Sequence, residues 1–549
     1  MKNKEFLRSK RKHIALITNH GYAGPKLPLG GAPDTGGQNF YVNSLAESME
    51  ELGYKVTIYA RGGFHFFNSQ RMRKGEEFLS DHIRYVYIPG GGKEFIPKEK
   101  IGSVLDEQTD YLYDHLNKES ALLKCKPYDM FLFINSHYWD GAMLAVKLIE
   151  RWQNDLLFDI LEKNKFHPKI FSYYYRNRHR LSIAHAPEAF AGRMLLQLYP
   201  DDIIDYNDLK IDSIYNLKSF IKQSQKIPPH LKNTFLVNKI GLWYLRSSNY
   251  KKILQSINRH IWTPHSVGEI KMKNYWEKDH ESKRELKFLE RIDHEYYIGH
   301  KTPFVAATSE EIVKSLADFY GYPLEKIMFF PPCIDEKKFK KRTKEECEFI
   351  YPYLARVTRM RQVKLLTKRI VFETSRMDET KRKDILIKAF RKVIKKVPEA
   401  ILIIGGGPKN HVFQKLERLI RRWNLTRSVF LTGFIPQKEM EELFSIADIF
   451  ATASEMEGFG MTALQAAACS TPIISSNLVP FCVYYLKEDC LIVKEGDAAG
   501  FAREIIRLLT DPFLSKQLAE NSYRSVNQFN WKEKTKDMIL FMQKHLSSG

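Results

Sequence analysis

Two series of short apolar runs alternating with amphipathic stretches, one in each half of the chain, restrict the fold more than any other feature. In the first, IALIT (14–18), FYVNSLAESMEELG (40–53), KVTIYA (55–60), IRYVYI (83–88) and DMFLFIN (129–135) follow one another. Runs that short and that continuously apolar suit strands covered on both faces, and the stretches between them suit the covering helices of a parallel α/β sheet. The second series reads RIVFETS (369–375), DILIKAFRKVIKKV (384–397), AILIIGGG (400–407), VFLTGF (429–434), DIFATAS (448–454), MTALQAAAC (461–469) and TPIISS (471–476). At 549 residues the chain exceeds what one hydrophobic core supports, so each series is expected to form its own Rossmann-like domain.

The boundaries follow from where the pattern changes. Residues 1–338 form the first domain, closed by Pro331 and Pro332. Its stretch from about 148 to 258 turns aromatic and basic with few strand-like runs, and is expected to be a largely helical insertion. Residues 339–365 are charged and irregular, as in a linker or surface insertion. The second domain spans 366–525, and 526–549 is expected to be a helix that crosses back onto the first domain.

Composition excludes several classes of function. No apolar stretch approaches the roughly 18 residues of a membrane span, and IALIT is too short for a signal sequence and lacks a small-residue cleavage site. The cysteines have no C-x-x-C spacing, which argues against a disulfide framework and a zinc site and makes a reducing cytoplasm the expected location. A formal charge of +21 calls for an anionic partner: a sugar phosphate, a nucleotide diphosphate, a lipid surface or nucleic acid. No nucleic-acid-binding signature accompanies the charge, so nucleic acid is not expected. The basic and aromatic stretch Tyr173–Arg180 leaves peripheral membrane contact open, and oligomeric state is not legible.

Chemistry concentrates at the ends of the strands of the second series. Glu457-Gly458-Phe459-Gly460 follows DIFATAS and opens a helix at Met461, the place where open α/β sheets bind ligands and where a helix N-terminus favours a diphosphate. Arg376 and Lys381 follow RIVFETS and are suited to neutralising a pyrophosphate leaving group. Gly405-Gly406-Gly407-Pro408 follows AILII and has no side chain to obstruct a nucleotide. In the first half, a glycine-rich loop ending at Gly36, Gly37 and Gln38 leads into a helix.

These motifs, with LTGFIPQKEMEELFSIADIFATASEMEGFGMTALQAAA around them, resemble retaining glycosyltransferase family four. PDTGGQNFYV, ARGGF, NSHYWDGA and TPHSVGEIK narrow the resemblance towards sucrose-phosphate and mannosylfructose-phosphate synthases. The resemblance implies a GT-B fold, with two Rossmann-like domains facing a cleft, and a hexosyltransferase. Its donor would be a nucleotide sugar, UDP-glucose before GDP-mannose, and its acceptor an anionic sugar phosphate such as fructose 6-phosphate. It further implies that Glu457, His265, Arg376 and Lys381 carry catalysis, without a metal. Gly36, Gly37, Gly406, Phe459, Gly460 and Gln465 would hold the donor, and Gln38, Lys271, Arg291 and His137 the acceptor.

One departure stands out: the second glutamate of the family's E-x7-E signature is Gln465 here. Losing a charged acceptor is expected to weaken donor binding by roughly 1–2 kcal/mol. Two other readings remain at this stage. The insertion could redirect transfer to a lipid, glycan or protein, or Gln465 and the sequence SSNL (475–478) could mark a decayed donor site that binds without catalysis.

Overall fold

The computed structural model describes residues 2–28, 32–163, 256–276, 282–343 and 345–547. Most of the expected insertion, including Tyr173–Arg180, lies outside the described residues.

The first sheet contains β1 (His13–Thr18), β2 (Lys55–Arg61), β3 (Gly75–Phe78), β4 (Ile83–Ile88), β5 (Ile134–His137), β6 (His260–Thr263), β7 (Phe304–Ala307) and β8 (Ile327–Phe329), in the order β3-β4-β2-β1-β5-β6-β7-β8. All pairings are parallel except β3 with β4. Successive residues of a strand point to opposite faces, and both faces are apolar. Ala15 and Ile17 enter one core while Ile14 and Leu16 enter the other.

The second sheet is wholly parallel. It contains β9 (Arg369–Thr374), β10 (Ala400–Gly405), β11 (Val429–Gly433), β12 (Ile449–Thr452), β13 (Ile473–Ser476) and β14 (Leu491–Val493), in the order β11-β10-β9-β12-β13-β14. Ile370 and Phe372 pack on one side and Val371 on the other. Both sheets thus have the doubly wound pattern, in which chain direction along the sheet reverses beside the first strand. The reversals fall between β1 and β5 and between β9 and β12, and these are the crevices in which such sheets bind ligands.

Two segments differ from the sequence expectation. Residues 339–365 are not merely a linker, because they contain a helix at Ile350–Thr358 and enter another at Gln362–Leu366. Ile350, Tyr353, Leu354 and Leu365 are buried in the core of the second domain. Glu442 Oε2 accepts the Phe349 and Ile350 amides at 2.8 Å each, placing a carboxylate at the first helix's N-terminus. In the first domain, the helix Tyr138–Lys163 runs unbroken past residue 148, and Leu148, Ile149 and Trp152 still cover the sheet. The beginning of the expected insertion therefore belongs to the Rossmann-like layer.

The helix Trp531–Ser547 packs on the first domain, with Trp531, Met538, Ile539 and Met542 in that core. Trp531 meets Tyr41 edge-on, with ring centroids 4.9 Å apart. The chain therefore crosses between domains twice, and the crossings are joined where the Ile334 amide donates to the Phe529 carbonyl at 2.8 Å. Among the described residues no helix is long and apolar enough to cross a membrane.

Candidate active site

At the crevice of the second sheet, the loops after β9 and β12 bring Lys381 against Glu457. Lys381 Nζ lies 2.6 Å from Glu457 Oε1 and donates to the Met456 carbonyl at 2.9 Å, while the Ser454 hydroxyl donates to the same carboxylate oxygen at 3.1 Å. Lys381 is buried and Glu457 partly open, so the pair forms a wall of the crevice. Arg376 is not gathered with them. Its side chain is 67 % exposed and reaches Asp378 at 3.4 Å, which leaves it free to swing.

A residue that sequence reasoning missed locks these loops together. The wholly buried Lys383 pairs with Glu373 and donates to Ser375 Oγ at 2.8 Å and to the Gly405 carbonyl at 3.2 Å. Burial lowers its pKa, and Glu373 opposes that shift. Gly406 completes the turn at φ +106, and a Cβ there would lie 1.8 Å from the Ser375 carbonyl oxygen. Gly406→Ala is therefore expected to displace the β9 and β10 loops together. Positive φ and the clash should cost more than about 1 kcal/mol, read as a lowered urea midpoint and weaker nucleotide binding.

Phe459 is not placed as a donor contact through its side chain. Its ring packs against Phe481, Tyr485 and Phe529 at 5.5, 5.9 and 5.6 Å, because the sharp turn at Gly460 (φ +111) sends it into the core. Gly460 itself has no room for a Cβ, which would come 2.6 Å from Val479. Gln465 lies on the helix Met461–Ala468 that opens there and is only partly buried. Within SSNL, Ser475 and Ser476 are the buried end of β13.

Across the cleft stands His265. A Cβ built on Gly458 would lie 3.2 Å from the His265 carbonyl oxygen, so the Glu457 loop abuts the loop after β6. His265 Nε2 and His137 Nδ1 are 3.0 Å apart, one of the two carrying the shared proton, and Tyr41 packs edge-on to His265 at 4.7 Å. Burial brings His137 down to about 3 and His265 well below its usual value, with His137 and His20 adding to the latter. Both imidazoles are accordingly neutral near pH 7. His137, wholly buried, supports His265 from behind. Gly36 and Gly37 begin the helix after β1, where a Cβ on either would meet nothing within 4 Å, so a ligand can approach the backbone. Gln38 donates to Thr18 Oγ1 at 3.2 Å.

The second cluster centres on Tyr138, a residue that sequence reasoning passed over within NSHYWDGA. Its phenol oxygen accepts from Lys271 at 3.0 Å and from Arg291 at 2.5 Å. Arg291 is held by Glu295 at 2.6 Å, one turn further along the helix Ser282–Lys301, and by the Ser266 carbonyl. His20, whose ring is 4.6 Å from Tyr138, pairs with Asp140 at 2.9 Å. Burial would lower the His20 pKa, but the Asp140 carboxylate outweighs it and raises the value. Burial would also push the phenol up, yet Arg291 and Lys271, aided by His20 and Lys98, bring it down to about 7. Several cations thus converge on one oxygen, an arrangement that can receive a phosphate. By contrast Glu76, His115 and Glu119, a grouping with metal-type ligand atoms beside β3 and β4, already engages the Arg84 guanidinium, which is 2.7 Å from Glu119.

Residues 356–525 match the family Glycosyl transferases group 1. The mannosylfructose-phosphate synthase of Agrobacterium fabrum is 26% identical over 477 residues, covering 84% of this chain and 75% of that protein. The D-inositol 3-phosphate glycosyltransferase of Corynebacterium urealyticum is 23% identical over 533 residues, 96% of this chain and 94% of its own. Among solved structures, the sucrose-phosphate synthase of Thermosynechococcus elongatus superposes with a TM-score of 0.61 at 19% identity, covering 98% of this chain and 100% of that one. With two doubly wound sheets and a ligand crevice in each, the chain has the GT-B fold, and its residues 356–525 carry a Glycosyl transferases group 1 domain.

Proposed function

We propose that the chain transfers a hexose, with retention of configuration, from a nucleotide sugar to a phosphorylated sugar acceptor, with UDP-glucose favoured over GDP-mannose and fructose 6-phosphate the model acceptor. The observation that carries this reading is the Tyr138 cluster, where half-buried Lys271 and buried Arg291 meet on the His265 side of the cleft, across from Lys381 and Glu457. The names of the similar proteins, which include a sugar phosphate or inositol phosphate, agree with it.

In this reading Lys381, joined by Arg376 swinging inward, neutralises the departing diphosphate, and Glu457 faces the transferred sugar. Neutral His265 hydrogen-bonds a sugar hydroxyl, while Lys271 and Arg291 hold the acceptor phosphate so that a hydroxyl lies on the leaving-group face. Since side-chain cations serve the diphosphate, catalysis is proposed to be metal-independent. Nucleotide diphosphate release should rise on adding fructose 6-phosphate and persist in EDTA. Release with no response to any sugar phosphate would overturn the acceptor assignment, and loss of release in EDTA the metal-independence.

Two further outcomes are expected. Gln465→Glu, restoring a charged acceptor for the nucleotide ribose, should tighten donor binding by about ten-fold, measured by UDP-glucose titration. Acceptor affinity should fall as pH rises above about 7, because phosphate must then displace a phenolate and a proton must be taken up. The slope should be at most about ten-fold per pH unit, and Tyr138→Phe should flatten it between pH 7 and pH 8.5.

A further inference from the structure

Beside the acceptor crevice, the segment after β2 folds back on itself. The Gly63 amide donates to the Arg73 carbonyl and the Arg73 amide to the Phe64 carbonyl, both at 2.8 Å, and His65 bridges Met72. Two buried arginines hold the loop in this form. Arg61 and Arg73 place their guanidinium groups 4.5 and 5.1 Å from the Phe64 ring, and Arg61 Nη2 donates to the Gly90 and Glu94 carbonyls at 3.1 and 3.0 Å. Cations spent on ring faces and backbone carbonyls fix a loop without competing for a surface charge.

The loop walls a cavity of about 370 Å³. Tyr22 and Phe95 stack with centroids 5.1 Å apart and planes 3° apart, and Phe64 and Phe67 meet Tyr22 edge-on at 5.4 and 5.5 Å. Phe67 and Phe95 keep part of their surface open, whereas Tyr22 and Phe64 are buried beneath them. His65, Asn68, Gln70 and Lys93 complete the lining with donors and acceptors. A pyranose ring has a matching duality: its C–H face carries weak positive charge that suits an aromatic face, and its hydroxyls need amide and ammonium partners. An acyl chain would instead leave those polar groups without partners as it displaced their water.

One lining residue is tied to the loop that leads to the acceptor side. The Tyr22 amide donates to Thr35 Oγ1 at 2.9 Å, on the loop that leads to Gly36 and Gly37. Asp34 of that loop pairs with Lys98 at 3.1 Å, and the Lys98 charge acts on the Tyr138 phenol. We propose that this cavity is a carbohydrate subsite, holding a neutral, non-reacting pyranose ring of an acceptor larger than a single sugar phosphate. The proposal rests on the acceptor occupying the first domain, and its volume falls within the usual range of about 300–1,000 Å³ for ligand pockets.

The test is calorimetric titration of the full chain with maltotriose, a neutral oligosaccharide that offers nothing to the Tyr138 cations. Saturable binding is expected, with Kd raised about ten-fold by Phe67→Ala or Phe95→Ala and changed less than about two-fold by Lys271→Met. The exposed variants Asn68→Ala and Gln70→Ala, each expected to raise Kd about three-fold, keep the test sound should a phenylalanine variant misfold. Absence of saturable binding to the intact chain overturns the proposal. So does binding that survives the cavity variants but is lost in Lys271→Met. Fructose 6-phosphate-stimulated donor turnover on the same preparation separates the two readings. Turnover without maltotriose binding removes only the subsite, and binding without turnover removes only the sugar-phosphate transfer.

Discussion

Lys381→Met is expected to lower kcat by about 10²–10³-fold, the usual effect of removing one preorganised partner of developing charge. The ammonium is buried, fixed by the Met456 carbonyl at 2.9 Å and by Glu457 at 2.6 Å, so it needs no reorganisation when a diphosphate departs beside it. Methionine keeps the apolar stem and removes the ammonium, leaving Glu457 without its cation and the Met456 carbonyl without its donor. Lys381→Arg should recover part of the rate, because the charge returns with a different reach. Steady-state release of nucleotide diphosphate at saturating donor measures this. A fall in kcat of less than about ten-fold would remove Lys381 from the leaving-group role.

Arg291→Met is expected to have two separable effects. Glu295 is buried with 0% exposure and would lose its cation, keeping only the Tyr320 hydroxyl at 2.6 Å and the Gly268 amide at 2.7 Å. Breaking such a pair costs about 3–5 kcal/mol. The remaining hydrogen bonds place this case at the lower end, read from the first transition in urea, since two domains need not unfold together. The second effect is on the acceptor: loss of a charge-assisted contact should raise the KM for fructose 6-phosphate by about 10–100-fold. The double variant Arg291→Met/Glu295→Leu separates them, because it should regain stability without regaining acceptor affinity.

The strand and helix alternation made both sheets legible, since strands buried on two faces are written as unbroken apolar runs. The segment 339–365 was obscured because its charged residues outnumber the few apolar ones that decide its packing. Ile350, Tyr353 and Leu354 have the three-and-four spacing of a helix face, and that spacing was the available signal. At the site, residues beside recognisable motifs were legible as candidates, but their partnerships were not. Tyr138 sits next to His137, yet nothing local indicates that residues 271 and 291 converge on its oxygen. Lys383 is two residues beyond Lys381 and turns inward to hold the ends of β9 and β10 together, whereas its neighbour faces Glu457. Arg291 and Glu295 were readable as an i, i+4 pair on one helix face. Phe459 lies in the most recognisable motif but serves the core, because the left-handed Gly460 beside it sets the direction of its ring.

The crossing-back of the last helix also sets an order of events during synthesis. A ribosome adding about 5–20 residues per second completes all eight strands of the first sheet well before it reaches Trp531. Until then Tyr41, Phe330 and Phe304 lack the rings of Trp531 and Phe541 that cover them, so the newborn first domain carries an uncovered apolar strip. The cores of the second domain draw on residues 334–529, all of which are made before Trp531. The half of the enzyme that is made first is thus the half that is finished last.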